Sequence, residues 1–177
     1  MTKVGIIGIG DMGSGIAKNL MANGFAVHGL DLDTERMQAF TKAGGIAAAN
    51  LAELARDASA VFVMVMTGAQ AEAVIFGEGG LAANMSDGTS IILTATIKPA
   101  ESEAIGKRLA DTAIHLIDSP VSGGFPGAQS GTLTMMAAGP EAALTACRPI
   151  MEAVSSTIHI VGDAAPKGQM IKACLQS

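Results

Sequence analysis

A chain of 177 residues, 49% hydrophobic and only 15% charged, has ample material for one buried core. A net charge of −5 and a pI near 5.1, with no Lys/Arg block, argue against a nucleic-acid binder. Mean hydropathy is +0.42, yet the longest apolar run, AVFVMVM (60–66), is far short of the roughly 20 residues that a spanning helix needs.

In chain order, KVGIIG (3–8) reads as a strand, SGIAKNLMANG (14–24) as a helix and AVHGLD (26–31) as a second strand. Two helical stretches follow, DTERMQAFTKAG (33–44) and NLAELARDA (50–58), then a strand at AVFVMV (60–65). GAQAEAVIFG (68–77) is helical, TSIILT (89–94) extended, ESEAIGKRLAD (101–111) helical and IHLID (114–118) extended. TLTMMAA (132–138), PEAALTACRPIMEAV (140–154) and TIHIVG (157–162) complete the alternation as strand, helix and strand. In the tail, APKGQMIKACLQS (165–177), Pro166 fits a first helical position. The first strands are continuous apolar runs, which predicts an α/β fold: a Rossmann-type, doubly wound, mainly parallel sheet with helices on both faces.

The N-terminus, MTKVGIIGIG, carries one Lys and is broken by glycine within four residues, so it lacks a signal peptide's apolar region. Cys147 and Cys174 form no CxxC and no metal pattern, and a reducing cytoplasm is the expected compartment. His28, His115 and His159 fall in separate apolar runs and read as strand histidines rather than a metal site.

The first strand runs into GIGDMG, with Gly8, Gly10 and Gly13 at GxGxxG spacing. A helix and a second strand follow, and that strand ends in Asp31, 18 positions beyond Gly13, where the dinucleotide fingerprint places an acid. Gly8 permits the tight turn, Gly10 the approach of a pyrophosphate, and Gly13 close helix–strand packing. The amides around Ile9, Gly10, Asp11 and Met12 open the helix, whose N-terminus favours phosphate. Asp31 can accept from both ribose hydroxyls and repel a 2′-phosphate, which favours NAD over NADP; its other reading is a solvated strand-end acid. Asp11 either points away from the phosphates or caps the helix.

DSPVSGGFPGAQSGTL (118–133) packs glycines and prolines between two strand-like runs. Positive-φ backbone there can gather amides into an anion nest beside the Ser122 hydroxyl. It can equally be a tight turn.

GIGDMGSGIAKNL (8–20), TATIKP (94–99), DSPVSGGFPGAQSGTL and GQMIKACLQ (168–176), in this order, resemble the β-hydroxyacid dehydrogenases, which include 3-hydroxyisobutyrate, tartronate semialdehyde and L-threonate enzymes. The resemblance runs over essentially the whole chain. It implies hydride transfer between NAD and a small hydroxy acid, with Lys172 as the catalytic lysine and Ser122, Gly123 and Gly124 holding the substrate. It places Thr96 near the nicotinamide end, together with Met66 and Thr67, which depart from the family's usual Leu-Pro. Lys172 and Gln176, four apart, share one helix face; the family's usual residue at the latter position is Asn. Gln there, and MTGAQAEAVIFGEGGL (66–81), look like the L-threonate branch, so Gln176 is a second substrate-binding candidate. The resemblance also divides the chain into a nucleotide domain (1–163) and the start of an interdomain helix (164–177). The family's all-helical second domain, which usually forms its homo-oligomer, is not in the sequence. The alternative is a dinucleotide-binding module without catalysis. An imine reductase of the same superfamily is a third reading, disfavoured because those enzymes usually replace the lysine. Exposed apolar surface at Ile171 and Leu175, and hence self-association, is expected.

Overall fold

The computed structural model describes residues 1–177. Strands β1 (Lys3–Ile7), β2 (Ala26–Leu30), β3 (Ile46–Ala47), β4 (Ala60–Val63), β5 (Ser90–Leu93) and β6 (His115–Asp118) pair in parallel, in the spatial order 3-2-1-4-5-6. Beyond β6, the strand β8 (Leu133–Ala138) runs antiparallel to β6 and to the short β7 (Val121–Ser122), while β9 (Ser155–Gly162) pairs with β8 in parallel. The three histidines lie on β2, β6 and β9.

Alternation along the strands divides the apolar side chains between two cores. Val4, Ile6, Phe62 and Ile92 enter one core. It is closed by helices α1 (Asp11–Ala22), α2 (Thr34–Lys42), α7 (Gly124–Ser130) and α8 (Glu141–Glu152) through Ile16, Phe40, Ala128 and Cys147, among others. Ile7, Val61, Ile91 and Leu93 enter the other core. It is closed by α3 (Leu51–Ala55), α4 (Gly68–Phe76), α5 (Leu81–Asn84) and α6 (Pro99–Leu109) through Leu54, Ile75, Leu81 and Ile105. A sheet covered on both faces must be apolar at every position, which is why these strands lack a polar alternation. Each fully buried Leu or Ile contributes about 1.5–3 kcal/mol over its exposed state.

The sequence-based boundaries shift where local chemistry decides. Helix α1 begins three residues earlier than expected, at Asp11, with Gly10 as its N-cap. Asp11 is therefore an exposed first-turn residue and not the cap. Helix α6 begins at Pro99, whose missing N–H is no loss at a first helical position. The 118–133 stretch is not a simple turn between strands. It forms β7 and then α7, with Pro126 in the first turn and Gly131 closing the helix at φ +69°. The tail forms α9 (Lys167–Gln176), where Pro166 stands at the N-cap, one position before the expected one.

Candidate functional site

The sequence motifs converge on the carboxyl edge of the parallel strands. β1 lies between β2 and β4, so the strand order reverses beside the GIGDMG turn, the place where open α/β sheets take their ligands. Gly8 ends β1 at φ +90°, and a Cβ there would stand 2.0 Å from the Met64 carbonyl oxygen. At Gly13 a Cβ would stand 1.9 Å from the Gly8 carbonyl oxygen, so helix and turn touch through backbone alone. Gly10 differs: its open side meets only the Arg36 guanidinium, at 3.7 Å. No side chain caps α1, so its first amides face outward, with Met12 half-buried beside them. A cleft of about 250 Å³ runs from here between α1 and α2, from Gly10, Asp11 and Arg36 at this end to Met21, Phe40 and Ala43 at the other. Bare glycine backbone, an uncapped helix start and an adjacent guanidinium fit a pyrophosphate.

Asp31 follows β2 directly. Its carboxylate accepts the Ile9 N–H at 2.7 Å and the Asp33 N–H at 2.8 Å. The Ile9 amide is therefore spent on holding Asp31 against the glycine turn. Arg36 reaches to 3.8 Å from Asp31 and 4.0 Å from Asp33. Two oxygens with two acceptor sites each still leave Asp31 room for ribose hydroxyls.

Met66 and Thr67 follow β4. Met66 is 85% exposed. Thr67 is the N-cap of α4: its hydroxyl accepts the Gln70 N–H, and Gln70 Oε1 accepts the amides of Thr67 and Met66. Thr96, exposed, lies just after β5.

Ser122 lies half-buried on β7, paired with Thr134 of β8. Gly123 and Gly124 take φ +125° and +59°, values that a side chain would strain, and lead straight into α7. Lys172, on α9, donates from Nζ to the Val121 carbonyl at 2.8 Å, so the lysine meets the segment one residue before Ser122. Gln176 is exposed on the last turn of α9, with no hydrogen bond to Lys172.

Three features escaped the sequence reading. Arg36 is one; nothing in DTERMQ marks its reach back to Gly10. The second is a clasp between α1 and α7. Asn19 Nδ2 donates to the Ala128 and Gln129 carbonyls at 2.8 and 3.1 Å, and Gln129 Nε2 lies 3.3 Å from Ser14 Oγ. The third is a buried pair, Asp118 and Gln169, beneath Lys172. A larger groove of about 500 Å³ lies away from all these motifs, between α6 and residues 163–165. Its charged groups are already paired, Lys107 with Glu103 and Asp163 with Lys167.

Residues 3–162 match the family described as the NAD binding domain of 6-phosphogluconate dehydrogenase. L-threonate dehydrogenase of Cupriavidus necator is 40% identical over 169 residues, covering 96% of this chain and 57% of that protein. The crystal structure of 3-hydroxyisobutyrate dehydrogenase from Salmonella typhimurium superposes with a TM-score of 0.94 at 33% identity, covering 99% of this chain and 61% of that one. A complex of Psf3 with NADP+ and 2-OPP superposes with a TM-score of 0.92 at 28% identity, over 97% and 61% of the two chains. The chain thus spans less than two thirds of the length of each. These matches bear out the resemblance and the Rossmann-type architecture read from the sequence. The chain belongs to the family of NAD-binding domains typified by that of 6-phosphogluconate dehydrogenase.

Proposed function

We propose that this chain is the cofactor-binding part of an NAD-dependent oxidoreductase acting on a small hydroxy acid, with L-threonate as the favoured substrate. The observation that carries this reading is the 2.8 Å contact from Lys172 Nζ to Val121, which sets an amine beside the Ser122–Gly124 block at the carboxyl edge of the sheet. The 40% identity to an L-threonate dehydrogenase supports the substrate. Gly8 to Gly13 and the start of α1 would hold the pyrophosphate, and Asp31 the adenosine ribose, with Met66, Thr67 and Thr96 along the cofactor's path. Asp31 places a carboxylate where a 2′-phosphate would need a cation, which favours NAD over NADP; Arg36 beside it is the one group that opposes this preference.

When bound, NAD supplies the hydride acceptor. The chain's own residues do the rest. Ser122 and the amides at Gly123 and Gly124 hold the substrate's carboxylate and hydroxyls, with Gln176 as a further donor. In oxidation, Lys172 takes the proton from the substrate hydroxyl as the C–H bond gives up its hydride; in reduction it returns that proton. The unpaired state of both cysteines accords with a cytoplasmic protein, and the complete enzyme is expected to be a homo-oligomer.

The test is Lys172→Ala in protein that turns over NAD with L-threonate. Turnover should fall by at least about 10²-fold while NADH affinity stays unchanged. Equal loss of turnover and NADH affinity would overturn the assignment.

A further inference from the structure

Gln169 is 1% exposed and Asp118 is fully buried, so both are polar groups taken out of water. Such groups persist only where their hydrogen bonds are made, and here they are. The Gln169 backbone N–H donates to Asp118 Oδ2 at 3.1 Å, and Gln169 Nε2 donates to Asp118 Oδ1 at 3.1 Å and to the Ala95 carbonyl at 2.9 Å. Gln169 Oε1 accepts the Ile97 N–H at 3.1 Å. One side chain thus ties α9 to the end of β6 and to the segment that leaves β5.

The position along α9 gives this joint its meaning. Pro166 stands at the N-cap and offers no side-chain cap, and Gln169 is the third helical residue. Its amide is one of the first-turn donors without an intrahelical partner, and the Asp118 carboxylate takes it. Gly168 lets the helix start press on the sheet: a Cβ there would stand 2.5 Å from the Asp118 carbonyl oxygen and 2.7 Å from that of Met136. Lys172 lies three residues beyond Gln169, one turn along the same face.

We propose that Asp118 and Gln169 form the positioning joint of Lys172, fixing the rotation and height of α9 so that the amine reaches the Ser122–Gly124 block. This rests on the reading of Lys172 as the proton-transfer group. Of α9 only Gly168 and Gln169 are buried, so close backbone contact at the glycine holds its start to the sheet. Directional hydrogen bonds at both Gln169 and Asp118 also fix which face it presents.

The test uses the 177-residue chain and needs no turnover. A pulse of N-hydroxysuccinimide acetate followed by peptide mass spectrometry reads each lysine's labelling rate across pH, with exposed Lys42 as internal reference. Gln169→Met keeps much of the volume and removes the side-chain hydrogen bonds; Asp118→Asn keeps the shape and removes the carboxylate. In folded Gln169→Met, labelling of Lys172 relative to Lys42 should rise at least about fivefold, the scale set by one net hydrogen bond, and its pH profile should move. Asp118→Asn should move both in the same direction. Asn19→Ala, which loosens the α1–α7 clasp instead, should leave Lys172 at the wild-type rate. Wild-type rate and pH profile in both joint variants, or an equal rise in Asn19→Ala, overturns the proposal. If neither joint variant folds, hydrogen exchange in the wild type decides. Slow exchange of the Ile97 and Gln169 amides supports the joint; exchange as fast as in the last turn of α9 overturns it. A joint that passes these tests in a protein whose turnover ignores Lys172→Ala would stand, and only the proton-transfer reading would fall.

Discussion

Asp118 carries a carboxylate into a place with no water. Burial pushes its pKa above the ordinary carboxylate value, and the Gln169 donors hold it back only in part. The folded chain therefore keeps that proton to higher pH than the unfolded chain does. The resulting stability is full below the unfolded value, about 3.9, and is lost as pH rises through the folded one. Urea unfolding followed by circular dichroism should show wild-type stability falling relative to Asp118→Asn as pH rises across that window. Parallel curves for the two proteins would contradict this. Residues differed sharply in how far the sequence disclosed them. That Gly8, Gly13 and Asp31 meet at one turn was legible because it depends on local spacing after a strand. Asp118 and Gln169 were not, because their partners lie about 50 positions away and no periodicity links them. Arg36 was hidden because its approach to Gly10 runs across the glycine turn, which no local spacing marks.

At the scale of elements, the GIGDMG turn and the SGG block are not independent. Helix α1 leaves the GIGDMG turn and α7 leaves the SGG block, and the two helices meet along Gly15 and Ala128. A Cβ at Gly15 would stand 2.5 Å from the Ala128 carbonyl carbon, which is backbone and cannot swing aside. Gly15→Ala should therefore push α7 off α1 and destabilise the fold by about 1–3 kcal/mol, read as a lower urea midpoint. A change below about 0.5 kcal/mol, the range of an ordinary surface substitution, would show that the clasp is slack. The strands and most helices were legible from continuous apolar runs and flanking turn residues. Helix α7 was not. Two glycines and a proline in FPGAQSG argue against a helix by propensity, but Pro126 falls in the first turn and Gly127 is buried against Leu133, 3.3 Å from where a Cβ would stand. Tertiary contact outweighed the local preference. The two-residue strands β3 and β7 carry too few residues to show a period.

Over the whole molecule, the two cores follow from strands covered on both sides, and that layered architecture could be read from the runs themselves; the strand order could not. The surface of α9 follows a different logic. Met170, Ile171 and Leu175 are 52%, 40% and 67% exposed, an apolar patch on a helix packed on one side only. Such a patch favours burial against another surface. Sedimentation velocity of this chain should show weight-average mass rising with concentration, and Ile171→Glu with Leu175→Glu should suppress the rise. A wild-type chain that stays monomeric at the highest attainable concentration would contradict that expectation.

The account depends most on the proposed binding of a dinucleotide at the GIGDMG turn and Asp31, beside the reversal of strand order. With no Trp and no Tyr in the chain, the reduced cofactor itself must supply the optical signal. The decisive measurement is a pair of fluorescence titrations of the 177-residue protein with NADH and with NADPH. The account predicts saturable NADH binding, with NADPH at least about tenfold weaker, a difference of 1.4 kcal/mol. Tighter binding of NADPH would transfer the ribose recognition from Asp31 to Arg36. Binding of neither would contradict the central claim and leave only the fold.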